Sequence, residues 1–216
     1  MIRTLKILGV AFAAMLALSA VMASAASAEK SYTCSAYPCT GTGTSALGND
    51  TFTTEAGTVE CASHFEGTLA EASAHLTVKP KYSECRLGFI GATVSMGSCD
   101  YTFETSKQIA TDAYTAPVEV RCTNAAEPIR IIAGGGICEV TVGQQTPGGH
   151  VIITNTTTPV FNGDVDVQAT VTGIKYTVTK DGFGCPFSGT GAKEGASYIQ
   201  HSEMTFQSAG RDIHVG

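Results

Sequence analysis

The residues in this 216-residue chain best suited to chemistry are eight cysteines, five histidines and a pair of closely spaced aspartates. The histidines are His64, His75, His150, His201 and His214. None stands in an HxxxH or HExxH arrangement, and no Cys-x-x-Cys occurs, so the spacing that builds zinc sites is missing. Asp164 and Asp166 share one strand face beside Asn162 and offer hard oxygen ligands of the kind calcium takes. No glycine-spaced loop of further ligands surrounds them, and two solvated acids at the start of a strand is the better reading. No Gly-x-Ser-x-Gly elbow and no phosphate-cradling glycine loop is present; Gly134-Gly135-Gly136 reads as a turn. The sequence therefore assigns no catalytic, cofactor-binding or metal-binding residue. A serine–histidine–carboxylate site is defined by geometry, and only distant strands could assemble one here.

The cysteines point to disulfides instead. Arg3 and Lys6, the apolar run Ile7 to Val21, and Ala26-Ser27-Ala28 have the order of a secretory signal over residues 1–28. Export to an oxidising compartment makes an even number of cysteines a disulfide framework. Loss of the leader also takes Arg3 and Lys6, which deepens the net charge from −6 to −8. An acidic surface argues against nucleic acid and anionic membranes as partners. No second apolar run follows, so no membrane insertion is expected after cleavage.

The elements that must carry these residues are strands. Residues 29–50 are rich in Gly, Thr and Ser, lack apolar periodicity and read as an irregular lead-in closed by Cys34–Cys39. From residue 51 to 216 the chain reads as one β domain. Val59, Cys61, Ser63 and Phe65 alternate, as do Leu76, Val78, Pro80 and Tyr82. Pro80 lacks a ladder donor and places its strand at an edge or a bulge. In Asp164–Thr179 the apolar residues Val165, Val167, Ala169 and Val171 hold odd positions, and Ile174, Tyr176 and Val178 even ones. The parity changes at Gly173, by a bulge or a two-residue turn. One long bent strand is preferred, because a better turn, Asp181-Gly182, follows. With no tryptophan, 7% aromatic residues and 24 glycines, the expected fold is an all-β antiparallel sandwich stapled by disulfides, with a barrel as the alternative.

An internal echo suggests the pairing. Gly97-Ser98-Cys99-Asp100 and Gly136-Ile137-Cys138-Glu139 both read Gly-x-Cys-acid-x-Thr, each following another cysteine by a similar interval. If the units are equivalent, Cys85 pairs with Cys99 and Cys122 with Cys138, leaving Cys61 for Cys185.

The runs FTTEAGTVEC, TVSMGSCDYTF, CTNAAEPI, DVDVQATVTG and DGFGCPFSGTG resemble a group of uncharacterised exported proteins from soil bacteria of the actinobacterial type. The likeness runs from about Phe52 onward. It implies bacterial origin and export, and carries no activity, ligand or site residue.

Together these readings favour a non-enzymatic module, secreted or held at the cell envelope, with a binding or structural role. The face carrying Thr170, Thr172, Thr177 and Thr179 is flat and uncharged enough to meet a glycan or an envelope protein, and is equally what any solvated sheet shows. A secreted hydrolase is the rival class. A secreted inhibitor or toxin is a third, for which Thr105 to Pro117 would supply the protruding loop.

Overall fold

The computed structural model describes residues 31–104, 107–155, 164–205 and 213–215. The leader expected over residues 1–28 lies outside them. Among the described residues the chain forms strands and no helix. In chain order they are β1 Tyr32–Cys34, β2 Cys39–Thr54, β3 Gly57–Leu69, β4 His75–Leu87 and β5 Ile90–Ser95. There follow β6 Cys99–Glu104, β7 Lys107–Ala110, β8 Ala113–Ala116, β9 Val118–Cys122, β10 Ile129–Ala133 and β11 Cys138–Val142. The last are β12 Gly148–Asn155, β13 Asp164–Asp181, β14 Gly191–Thr205 and β15 Ile213–Val215.

Eight of these close into an antiparallel barrel in the order β11-β10-β5-β4-β3-β2-β14-β13, with β13 returning to β11. The preferred sandwich is thus corrected to the alternative, a barrel. The deciding contact is Cys138–Thr141 against Thr177–Asp181, which removes the free edges that two separate sheets would keep.

Both long strands change neighbours along their length. β13 pairs with β12 through Val165–Thr172 and with β11 from Thr177 onward. β4 pairs with β6 at His75–Val78 and with β5 only at Arg86 and Leu87. Pro80 sits in the gap between, paired to Phe65 on one side only, where a missing N–H is harmless. At that end β6 and β9 stand beside β4, and β12, β8 and β7 beside β13. A bridge from Val120 to Gln145 ties the two groups together.

The long strand expected over Asp164–Thr179 is one element, β13. Val165, Val167, Ala169 and Val171 are buried, and so are Ile174, Tyr176 and Val178. The register slips between Val171 and Tyr176 around Gly173, whose φ of +69° suits glycine. An added Cβ there would meet nothing within 4 Å, so conformation rather than space selects the residue. The bulge keeps both parity groups on the interior face. Tyr176 meets Phe52 edge to face at 6.0 Å between ring centroids.

Two further expectations are corrected. Residues 39–50, read as irregular, form the first part of β2, with Cys39–Ser45 paired to Ser63–Leu69. After Cys39 their inward positions are Gly41, Gly43, Ser45 and Asp50, too small or too polar to register as apolar alternation. The disulfides are Cys34–Cys39, as expected, then Cys61–Cys85, Cys99–Cys122 and Cys138–Cys185. Pairing of Cys85 with Cys99, Cys122 with Cys138 and Cys61 with Cys185 is excluded by register. Cys99 lies directly opposite Cys122, with Cα atoms 3.9 Å apart, and Cys61 is 4.1 Å from Cys85 on the adjacent strand.

Candidate functional site

Alternation places two unusual sets of side chains, one inside the barrel and one at its rim. Inside, β14 points Ala196, Tyr198, Gln200 and Ser202 inward, while its aliphatic residue Ile199 is exposed. The register sets Gln200 against Asp50 and Tyr198 against Phe52 on β2. Asp50 is 1% exposed and is bonded by three hydroxyls. Tyr198 donates to its Oδ1 at 2.5 Å and Ser63 to its Oδ2 at 2.7 Å, and Ser45 also donates to Oδ2. Tyr82 lies 3.1 Å from Tyr198 and 3.1 Å from Tyr101, oxygen to oxygen. Each phenol has one proton, and an ionised carboxylate only accepts. The donations therefore run Tyr101 to Tyr82 to Tyr198 to Asp50.

Burial raises the Asp50 pKa, opposed by the hydrogen bonds from Tyr198 and Ser63. Burial also holds Tyr82 and Tyr198 well above the usual phenol range and pushes Tyr101 up to about 12. The relay thus consists of neutral donors. Beside it lies a cavity of about 80 Å³, walled by apolar side chains such as Phe52, Phe65, Phe103, Ile131 and Val171. Gln200, 4% exposed, borders it, and its Nε2 has no partner among the described residues; the same is true of Ser202 Oγ. The cavity has about half the roughly 150 Å³ that accommodates benzene, so it suits a few waters more than a ligand. The bonds to the Asp50 carboxylate come from serine and tyrosine, with no histidine among the described partners. The interior is a polar network that holds strands together.

At the rim, four turns converge. Gly134 N donates to Gly91 O, which sets the β10–β11 turn beside the β4–β5 turn. Gly182 N donates to Ile137 O, and Cys138–Cys185 staples the segment after β13 to the same turn. Leu87, Gly88, Phe89 and Pro186 border one shallow depression with Ala56 of the β2–β3 turn. Below them Phe187 turns inward, 1% exposed, and plugs this end of the barrel. The tips carry Phe89 at 108% exposure, Phe183 at 103% and Ile137 at 45%. Phe89 and Phe183 touch almost nothing of their own chain.

Several charges near the rim pair with one another. Arg86 bonds Glu60 at 2.7 Å, and Arg130 and Lys180 reach Glu139 at 2.8 and 3.3 Å. The Arg130 hydrogen bond is the first cause holding Glu139 below the usual carboxylate range.

The residues singled out in the sequence lie elsewhere. Among the histidines, His64 and the exposed His75, His150 and His201 face outward. His201 Nε2 contacts Asp166 Oδ1 at 2.8 Å, and Gln168 donates to Asp166 Oδ2 at 2.8 Å, all on the outer face of β13 and β14. The side chains of Asp164 and His214 are outside the described set. Thr170, Thr172 and Thr179 are exposed, as the alternation required. Residues 107–116 form the β7–β8 hairpin that continues the sheet from β12, in place of a free loop. The interior stripe and the rim both went unread. The signals were period-two polar residues in β14 and two phenylalanines beside turn glycines.

Nothing matches. The chain finds no counterpart among models of known protein families, among curated proteins or among solved structures.

Proposed function

We propose that the protein is a non-enzymatic binding module, exported and working at the cell envelope or beyond it, which meets its partner through the Phe89–Ile137–Phe183 rim. The rim carries this reading. Two fully uncovered phenylalanines reduce solubility and give the fold nothing, so a soluble barrel gains from them only when something covers them. Four disulfides suit an oxidising, extracellular setting, and the order of charged, apolar and small residues at the N terminus suits export. The interior network, saturated by its own donors around Asp50, supports a structural rather than a chemical role for the buried polar groups.

The test is co-sedimentation with envelope preparations from the bacterium that makes the protein, comparing wild type with a Phe89→Ser, Phe183→Ser double variant. Wild type should be retained and the double variant released, with equal melting temperatures. Equal retention of both would exclude the rim as the binding surface.

A further inference from the structure

The rim's partner follows from how its tips are built, and this inference rests on the rim being the binding surface. We infer that it docks on a lipid bilayer, with Phe89 and Phe183 entering the headgroup–acyl boundary of a membrane whose headgroups are neutral overall.

The exposure of the rim is the first ground. Phe89 in the β4–β5 turn and Phe183 in the β13–β14 segment are both fully exposed, on two separate turns. A deformable medium accepts separate tips without matching pockets.

The backbone is the second ground. Chain entering a bilayer must have its polar groups satisfied internally, because unmet N–H and C=O groups are costly there. Behind the tips, four turn N–H groups are bonded within the chain: Gly182 N to Ile137 O, Cys185 N to Gly182 O, Gly134 N to Gly91 O and Gly136 N to Ala133 O.

Charge is the third ground and selects the lipid. Gly88-Phe89 and Gly182-Phe183-Gly184 carry no charge, and the cations behind them are neutralised by Glu60 and Glu139. With a net charge of −8 after loss of the leader, and with Arg86, Arg130 and Lys180 paired to carboxylates, attraction to anionic headgroups is weak, which leaves apolar insertion as the driving force. No span is implied: the contact is peripheral, through two side chains and their turns.

The chain has no tryptophan, so Phe183→Trp installs a single reporter at the tip. Added phosphatidylcholine vesicles should shift its emission to the blue, and a Trp placed at Ile199, exposed on the barrel wall, should not respond. In flotation with the same vesicles, Phe89→Ser and Phe183→Ser should each lower partitioning by about tenfold, the scale expected for withdrawing one buried phenylalanine. Raised salt should leave binding unchanged. Absence of a blue shift, equal flotation of the double variant, or binding confined to phosphatidylglycerol vesicles and abolished by salt would each overturn the inference. Rim-dependent retention on envelopes without binding to phosphatidylcholine vesicles would also overturn it, indicating a protein or polymer partner and leaving the binding-module reading intact.

Discussion

Replacing Asp50 tests the interior network most directly. In Asp50→Ala, three hydroxyls lose their acceptor. Ser45 and Ser63 lie 3.3 Å apart and can bond each other, so the lasting loss falls on Tyr198 and the relay behind it. An unmet buried donor costs about 1–3 kcal/mol, and removing a buried negative charge returns part of that, giving a net loss of roughly 1–2 kcal/mol. Asp50→Asn keeps one acceptor for Tyr198 and offers an amide that both serines can accept, so it should cost only about 1 kcal/mol. The two variants should also differ from wild type in a pH-dependent way. Because burial raises the folded pKa of Asp50 above its ordinary 3.8, the native state keeps this proton after the unfolded chain has lost it. The Asp50 contribution to stability is therefore full below the ordinary value and declines as pH rises through the window up to the folded value. The gap between wild type and Asp50→Asn should accordingly be larger at about pH 4 than at about pH 7. Urea unfolding with the disulfides intact measures both. A loss below about 0.5 kcal/mol for Asp50→Ala would show that the carboxylate is not the hub of the network, and a gap that widens as pH rises would show that its hydrogen bonds outweigh burial and lower the folded pKa.

Two more expectations follow from the barrel wall. Val171 is buried and Thr170 exposed, so Val171→Asp should cost at least about 4 kcal/mol or prevent folding, and Thr170→Asp should fall within about 0.5 kcal/mol of wild type; equal tolerance in a melting assay would contradict the face assignment. Cys138–Cys185 closes a separation of 47 residues and Cys34–Cys39 one of 5, so in the chain-entropy model paired Cys→Ala replacement should cost about 4 and about 2 kcal/mol respectively; non-reducing peptide maps joining Cys99 to Cys122 and Cys138 to Cys185 check the connectivity, and the reverse order of losses would reject the model.

Much of the fold was legible because a strand half-buried in a barrel wall writes its period into the sequence. Val165 to Val178 shows this, including the parity change that Gly173 accommodates. Closure was not legible, since the same alternation serves a sandwich and a barrel. The choice rests on Thr177–Asp181 meeting Cys138–Thr141, a pairing of distant segments. The cysteine echo misled for the same reason. Cys99 and Cys138 share a local motif, yet β6 pairs with β9 while β11 pairs with β13, so their partners differ. β14 was faint because its pattern is inverted, with Ile199 outside and Tyr198, Gln200 and Ser202 inside. The rim was illegible because an exposed phenylalanine in a turn looks, in one dimension, like any other apolar residue.

The polar interior has a physical rationale in the strands it joins. Apolar side chains fix register by making a one-residue slip expose the core. Beyond Cys39, the first half of β2 has little to slip, because its other inward residues are Gly41, Gly43 and Ser45. Opposite it, β14 carries Gln200 and Ser202 inward, so apolar burial specifies this seam weakly from either side. Asp50 supplies the missing constraint. Its carboxylate is met by Tyr198 from β14, by Ser63 from β3 and by Ser45 across the β2 bulge. A slip of one residue would turn Asp50 to the outer face and leave Tyr198, Ser63 and Ser45 without their acceptor. The energetic penalty for misregister is thus carried by one buried acid, which is the role buried polar groups fill best where the apolar pattern is silent. The rim is a different departure from ordinary surface chemistry, apolar where water is expected, and it is held by the β4–β5 and β10–β11 hairpins and by Cys138–Cys185. Because the seam fixes the barrel from within and the tips share none of its bonds, the rim is free to be apolar without endangering the fold.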